Sequence, residues 1–152
     1  MKTFTIRTES DTERLARVLV GHLTWGDMIG LSGELGAGKT TFVRYLVGAM
    51  GGPVEQVSSP SFSLQNEYRL PLNRIIEHWD LYRLSSAPRE LLEPSTPDLL
   101  RLVEWPERCP ELEAELALCL RVELLESGVR TLALCGPRAA EIHARVEEHY
   151  GA

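Results

Sequence analysis

Eight residues, GELGAGKT from Gly33 to Thr40, restrict this chain more than any other stretch in it. They satisfy G-x-x-x-x-G-K-[ST] at every fixed position. The apolar stretch DMIGLSG precedes them as a strand, and a helix is expected from Lys39 to about Met50, stopped by Gly51-Gly52-Pro53. Strand, glycine loop and helix in that order make a phosphate cradle. Gly33, Gly36 and Gly38 let backbone N–H groups converge on one concavity, and the helix N-terminus adds positive potential. Lys39 reaches toward β- and γ-phosphates, and the Thr40 hydroxyl is a Mg²⁺ ligand. Leu35, Ala37 and Thr41 complete the loop residues expected to touch nucleotide. Such a loop specifies phosphates and no more. The guanine signature N-K-x-D is absent from the sequence, which favours adenine.

Mg²⁺ on a triphosphate wants a carboxylate near Thr40, commonly at the end of a neighbouring strand. Two acids qualify: Asp80 ends RIIEHWD, and Glu104 ends LLRLVE. The second strand is continuously apolar and reads as central, which favours Glu104. Pro106 cannot donate a ladder hydrogen bond, so the strand is expected to stop there. Trp105, between the two, is either a wall of the nucleotide site or core. Taken alone, either acid reads as an ordinary loop carboxylate; a complete phosphate loop changes that. The hydroxyl-rich SSPSF, Ser58 to Phe62, is a turn that could also serve as a nucleotide-sensing switch.

The remaining elements fit one α/β domain spanning residues 1–152. TFTIRT alternates as a short strand. In SDTE, Ser10 reads as a helix N-cap with Glu13 closing a capping box, and Leu15, Val18, Leu19 and Leu23 follow at helical spacing. SFSLQNEYRL and RIIEHWDLYRL read as two strands joined at Pro71-Leu72-Asn73. PRELLEPSTPD holds a short helical turn. LALCLRVELL and VRTLALCG form a second hairpin across Glu126-Ser127-Gly128, and PRAAEIHARVEEHY is a closing helix with Pro137 at its start. The expected architecture is a three-layer P-loop NTPase-like domain: a mixed, mainly parallel sheet with helices on both faces. The formal charge of −6 argues against a stand-alone nucleic-acid binder, so direct nucleic-acid contact is not expected. Cys109, Cys119 and Cys135 lack C-x-x-C spacing, and His22, His78, His143 and His149 are scattered, which supports neither a zinc site nor a disulfide framework. With a polar N-terminus and no long apolar run, a cytoplasmic location is expected.

LSGELGAGKTTFVR, VSSPSFSLQNEY, EHWDLYRL and LVEWPE occur in that order. Together they resemble the TsaE (YjeE-type) family of P-loop ATPases from tRNA threonylcarbamoyladenosine biosynthesis. The resemblance runs from about Leu31 to Glu107, and H-x-D-L-Y-R-L with E-W-P-E is far more specific than the phosphate loop alone. It implies an ATP and Mg²⁺ site in which Thr40 and Glu104 serve the metal. Asp80 lies beside them for metal binding or water activation. The hydroxyl loop is usually S-P-T-F; here Ser61 replaces the threonine, keeping the hydroxyl and losing the methyl. Glu9 to Thr12 would border the adenine. The segment after Leu84 is compressed relative to the family.

The resemblance further implies a slow ATPase that supports a TsaB–TsaD pair as a nucleotide-dependent switch. In that scheme the pair transfers threonylcarbamoyl to the tRNA adenosine next to the anticodon. Lys39, Asp80 and Glu104 carry the chemistry, and Arg83 is the nearest arginine to a finger. The alternatives are a small-molecule kinase using the same loop, or a nucleotide-binding partner without turnover.

Overall fold

The strand Met28–Ser32 (β2) is buried at all five positions, which only the middle of a sheet covered on both faces allows. The computed structural model describes residues 3–150, so the outermost ends of the 1–152 domain lie outside it. Around β2 the described residues form one seven-stranded sheet. Its other strands are β1 (Thr3–Ile6), β3 (Gln65–Leu70), β4 (Arg74–Asp80), β5 (Leu99–Glu104), β6 (Leu118–Leu124) and β7 (Arg130–Cys135). The spatial order is β1-β7-β6-β2-β5-β4-β3. The four central strands β6, β2, β5 and β4 run parallel. The flanks are antiparallel: β7 and β1 on one side, β3 on the other. Both hairpins read from the sequence, β3–β4 and β6–β7, therefore form, and they supply those flanks.

Alternation along the strands sends two apolar sets to opposite faces. Ile29, Leu31, Ile76, Leu100, Leu102, Leu118 and Leu120 pack with buried residues of three long helices, α1 (Glu9–Val20), α2 (Lys39–Ala49) and α4 (Ala139–Tyr150). Met28, Trp79 and Val103 face the other way. They are covered by Leu91 of the single-turn helix α3 (Arg89–Leu92) and by Cys109 and Leu112 among the 3₁₀ turns that follow β5. Three layers result, of unequal thickness: all the long helices lie on one face.

Three local expectations shift. The first helix is capped by Thr8, not Ser10. Thr8 is extended (φ −137°), its hydroxyl accepts from the Asp11 N–H at 3.2 Å, and the Asp11 carboxylate accepts from the Thr8 N–H at 3.2 Å. Asp11 thus does the work assigned to Glu13, two residues earlier. The backbone N–H of Arg7, also bonded to this carboxylate, is the main influence holding the Asp11 pKa below its usual value. Leu23 falls beyond the helix, which ends at Val20 with Gly21 as its cap. Ser61 to Leu64 is a turn rather than part of β3, because Leu64 takes a left-handed backbone (φ 73°) that no strand continues through. The three cysteines are free thiols. Burial, with Cys135 beside it, pushes the Cys119 pKa up to about 12, which makes it a packing group rather than a nucleophile.

Candidate functional site

The parallel register delivers the candidate acids to one place. Leu31 of β2 lies opposite Glu104 of β5, and Asp80 of β4 lies opposite Glu104 on its other side. Paired residues on neighbouring strands point to the same face. Both carboxylates therefore project toward the long helices, at the strand ends where β2 breaks into the phosphate loop. Glu104 is 2% exposed and Asp80 7%.

Between Ser32 and Lys39 the chain wraps around its own backbone. Gly33 takes φ +147°, and a Cβ there would strike the Val122 carbonyl, so no other residue fits. Gly38, at φ +109°, caps α2 without a side chain and is pressed by the Arg130 guanidinium, whose Nε donates to the Ala37 carbonyl at 2.8 Å. Gly36 and Leu35 are exposed at the open lip of the loop, while Ala37 is buried beneath it. Lys39 is the first residue of α2. Its ammonium donates to the Gly33 carbonyl and lies 3.9 Å from the centre of the Trp105 ring. Burial pushes its pKa down, against the opposing pull of Glu104, Glu107, Asp80 and Glu34. A desolvated ammonium drawn by four carboxylates at the start of a helix has the chemistry to hold an anion that brings its own cation.

Thr40 donates its hydroxyl to Glu104 Oε2 at 3.3 Å. β5 thus carries its last carboxylate to the first turn of α2. The strand stops there because Trp105 turns into the left-handed region (φ 59°, ψ 47°) and Pro106 opens a 3₁₀ turn. The Trp105 indole is 9% exposed. It packs on Tyr82 with ring centroids 4.8 Å apart and lines a crevice of about 560 Å³ with Ser32, Gly33 and Leu35. It is part of the core and also lines that crevice.

The hydroxyl loop meets Asp80. Ser61 Oγ lies 3.4 Å and Ser59 Oγ 3.5 Å from Asp80 Oδ2, and the two hydroxyls are 2.7 Å apart. Asp80 Oδ1 accepts the Tyr82 N–H at 2.9 Å. Glu9 and Thr12 border a separate recess of about 280 Å³ beside the loop, shared with Gly38, Thr41 and Arg130. Arg83 is exposed and lies over the Phe62 ring rather than over the phosphate loop.

The sequence model described as "Threonylcarbamoyl adenosine biosynthesis protein TsaE" matches residues 6–132. The chain belongs to the TsaE family. A protein of Rickettsia conorii, named tRNA threonylcarbamoyladenosine biosynthesis protein TsaE, is 34% identical over 134 residues, covering 86% of this chain and 75% of the relative. The TsaE of Aquifex aeolicus is 34% identical over 136 residues, covering 88% and 96%. That of Synechocystis is 39% identical over 114 residues, covering 68% and 69%. The crystal structure of Bacillus subtilis YdiB superposes with a TM-score of 0.70 at 20% identity, covering 97% of this chain and 95% of that one. At that identity it speaks for the shared fold. Membership places the chain in tRNA threonylcarbamoyladenosine biosynthesis. No helix among the described residues is long and apolar enough to cross a membrane.

Within the TsaE pattern, the structure brings Lys39, Thr40, Glu104, Asp80, Ser61 and Trp105 to one end of the sheet and puts Glu9, Thr12 and Thr41 beside it. Sequence reasoning missed His78 and Tyr68. Both are buried, His78 wholly so. His78 Nε2 lies 2.5 Å from Glu104 Oε2, and its Nδ1 lies 2.8 Å from the Tyr68 hydroxyl. The alternation of Ile76, His78 and Asp80 along β4 was the available signal. It puts the histidine on the same face as Asp80, where a scattered histidine stops being scattered.

Proposed function

We propose that this chain binds ATP with Mg²⁺ on the Gly33–Thr41 loop and hydrolyses it slowly. In this reading it acts as a nucleotide-dependent switch for a TsaB–TsaD pair that modifies tRNA. The observation that carries the reading is the meeting of Thr40 and Glu104, 3.3 Å apart, beneath the buried Lys39. The donor set also suits the ion. Thr40, Glu104 and Asp80 offer only oxygen, the chemistry Mg²⁺ prefers. Among the described residues no three His, Cys, Asp or Glu side chains converge as a complete metal cage. That fits a metal that arrives with phosphates and takes one or two carboxylates from the protein.

Each side chain has a distinct task. The backbone N–H groups of the loop and Lys39 bind the phosphates and offset the charge that develops on them. Thr40 and Glu104 would hold Mg²⁺, which polarises the phosphate oxygens when bound. Asp80 orients a water, and its contacts to Ser59 and Ser61 tie that carboxylate to the Ser58–Phe62 loop. The adenine is expected in the recess bordered by Glu9 and Thr12. Switching requires partners that bind the two loop states with different affinity. Arg83, the arginine nearest a finger by sequence, is exposed and turned to Phe62, which agrees with slow turnover by the chain alone.

The test is ATP turnover by the isolated chain and by the chain mixed with its TsaB–TsaD pair. Stimulation by the pair, abolished by Glu104→Ala, is the expected outcome. Turnover indifferent to the pair removes the switch, and Glu104→Ala with unaltered Mg²⁺ dependence removes the metal assignment.

A further inference from the structure

A row of polar groups, each within hydrogen-bond reach of the next, runs through the protein interior from the hydroxyl loop to the phosphate loop. The Ser58 carbonyl lies 3.3 Å from the Tyr68 hydroxyl, which lies 2.8 Å from His78 Nδ1. His78 Nε2 reaches Glu104 Oε2 at 2.5 Å, and the same oxygen accepts from Thr40 at 3.3 Å. Three elements contribute: Tyr68 comes from β3, His78 from β4 and Glu104 from β5. Register explains the meeting. Tyr68 pairs with Ile76 and Asn66 with His78, so Tyr68 sits diagonal to His78 across the hairpin, within reach of a long side chain. Both rings are closed off from solvent, so no water competes for these bonds.

We propose that His78 is the positioning residue for Glu104, and that Tyr68 links that positioning to the Ser58–Phe62 loop. The inference rests on the nucleotide reading given above. The carboxylate oxygen facing His78 can only accept, so Nε2 carries the proton and donates it. Nδ1 of that tautomer is then an acceptor, and the Tyr68 hydroxyl donates to it. Glu104 is thereby held with Oε2 turned to both His78 and Thr40, which leaves Oε1 free for a ligand. A donor behind a metal-binding carboxylate fixes its orientation in the way outer partners do at metal sites generally.

Tyr68 makes this support conditional. Its hydroxyl has one hydrogen and two acceptors within reach, His78 Nδ1 and the Ser58 carbonyl. The Ser58 carbonyl also accepts from Asn66 Nδ2 at 3.1 Å. A loop movement that draws Ser58 away leaves the Tyr68 hydrogen wholly to His78. A movement that brings Ser58 closer competes for it and loosens the imidazole. The loop therefore touches both acids of the site, Asp80 directly through Ser59 and Ser61, and Glu104 at a distance through Tyr68 and His78.

The test uses the full chain with ADP and Mn²⁺ as a spin-active stand-in for Mg²⁺, read as free Mn²⁺ by electron paramagnetic resonance. His78→Leu removes the donor and keeps the volume roughly filled; its apparent Mn²⁺ affinity is expected to fall by about tenfold or more. His78→Gln places an amide N–H near the position of Nε2 and is expected to recover most of that loss. Tyr68→Phe keeps the packing and removes the link. Deuterium exchange of the peptide covering residues 58–64 is then expected to lose its response to the metal. Affinity for ADP in excess chelator stays at the wild-type level in all three. Should His78→Leu not fold, His78→Gln and Tyr68→Phe carry the test. Wild-type Mn²⁺ affinity in His78→Leu overturns the proposal, as does a His78→Gln variant that falls as far as His78→Leu, since either outcome makes His78 mere filling. Wild-type exchange behaviour in Tyr68→Phe overturns the loop link. Failure of the wild type to bind ADP at all would instead sink the nucleotide reading.

Discussion

Strands β4 and β5 bury charge on both of their faces, and the two clusters are built on opposite plans. On the thin face, Glu77 and Arg101 are register partners. Arg101 Nε donates to Glu77 at 3.2 Å, and its other nitrogens donate to the Glu93 and Glu90 carbonyls at 3.0 and 2.9 Å. Glu77 takes a further bond from the Trp79 indole at 3.0 Å. Charge is balanced there and every guanidinium nitrogen is used. On the helix face, one register step beyond Trp79 and Val103, Asp80 and Glu104 stand side by side. The one cation among them, Lys39, spends its hydrogen bond on a backbone carbonyl. The first cluster is closed and holds structure together. The second carries unspent negative charge at the mouth of the Gly33–Thr40 loop. Burial of charge does not by itself mark a functional site; incompleteness does.

Substitutions can strain that contrast from either side. The largest effect is expected from Lys39→Ala, which removes the single cation from the open cluster. ATP affinity by calorimetry should drop on the order of 10³-fold, with little loss of melting temperature. Arg101→Ala should do the reverse. It leaves a half-buried glutamate without its partner and should cost about 1–3 kcal/mol in urea unfolding, while ATP affinity below the melting range is retained. If Arg101→Ala weakened ATP binding as much as Lys39→Ala, the division between the clusters would be wrong. Glu104→Gln keeps shape and removes charge; turnover at saturating Mg²⁺ should fall about 10²-fold, with folding stability equal to or above wild type. Glu77→Gln, its counterpart in the closed cluster, should cost about 1–2 kcal/mol of stability and leave the Mg²⁺ dependence of turnover alone.

The smallest effect is a pH signature. Burial lowers the Lys39 pKa below its ordinary 10.5. The unfolded chain then keeps this proton to higher pH than the folded chain. Without nucleotide, stability should therefore gain a rising contribution as pH climbs from the lowered value toward 10.5. Denaturation curves of the wild type and Lys39→Met across that range isolate it, because the variant lacks the contribution.

What could be read from sequence followed the range of the interaction. The phosphate loop, β2 and α2 are local, and eight consecutive residues announce them. Glu104 was legible because a continuously apolar strand signals a central position, and Pro106 marks where it ends. The closed cluster was not legible, since Glu77 and Arg101 are 24 residues apart and only the parallel register unites them. Tyr68 and His78, 10 residues apart, meet only through the antiparallel register of β3 on β4. One-residue details failed at the first helix, where Thr8 and Ser10 both precede an acid at the correct spacing. The choice between them fell to the end of β1, which leaves Thr8 extended. The layers themselves were foreseen, but not that all three long helices would share one face, which the sequence pattern does not encode.

Trp105 turns the chain out of β5 on a backbone that few side chains adopt. A bulky L-residue held at φ 59° costs about 1–2 kcal/mol that glycine would not incur. The side chain offsets that cost: the indole is 9% exposed within the thin-face core, and glycine there would open a cavity costing more than the backbone relief returns. The same ring lies under the Lys39 ammonium, so relaxing this bend by substitution would loosen the packing and strip the lysine of its aromatic partner at one stroke.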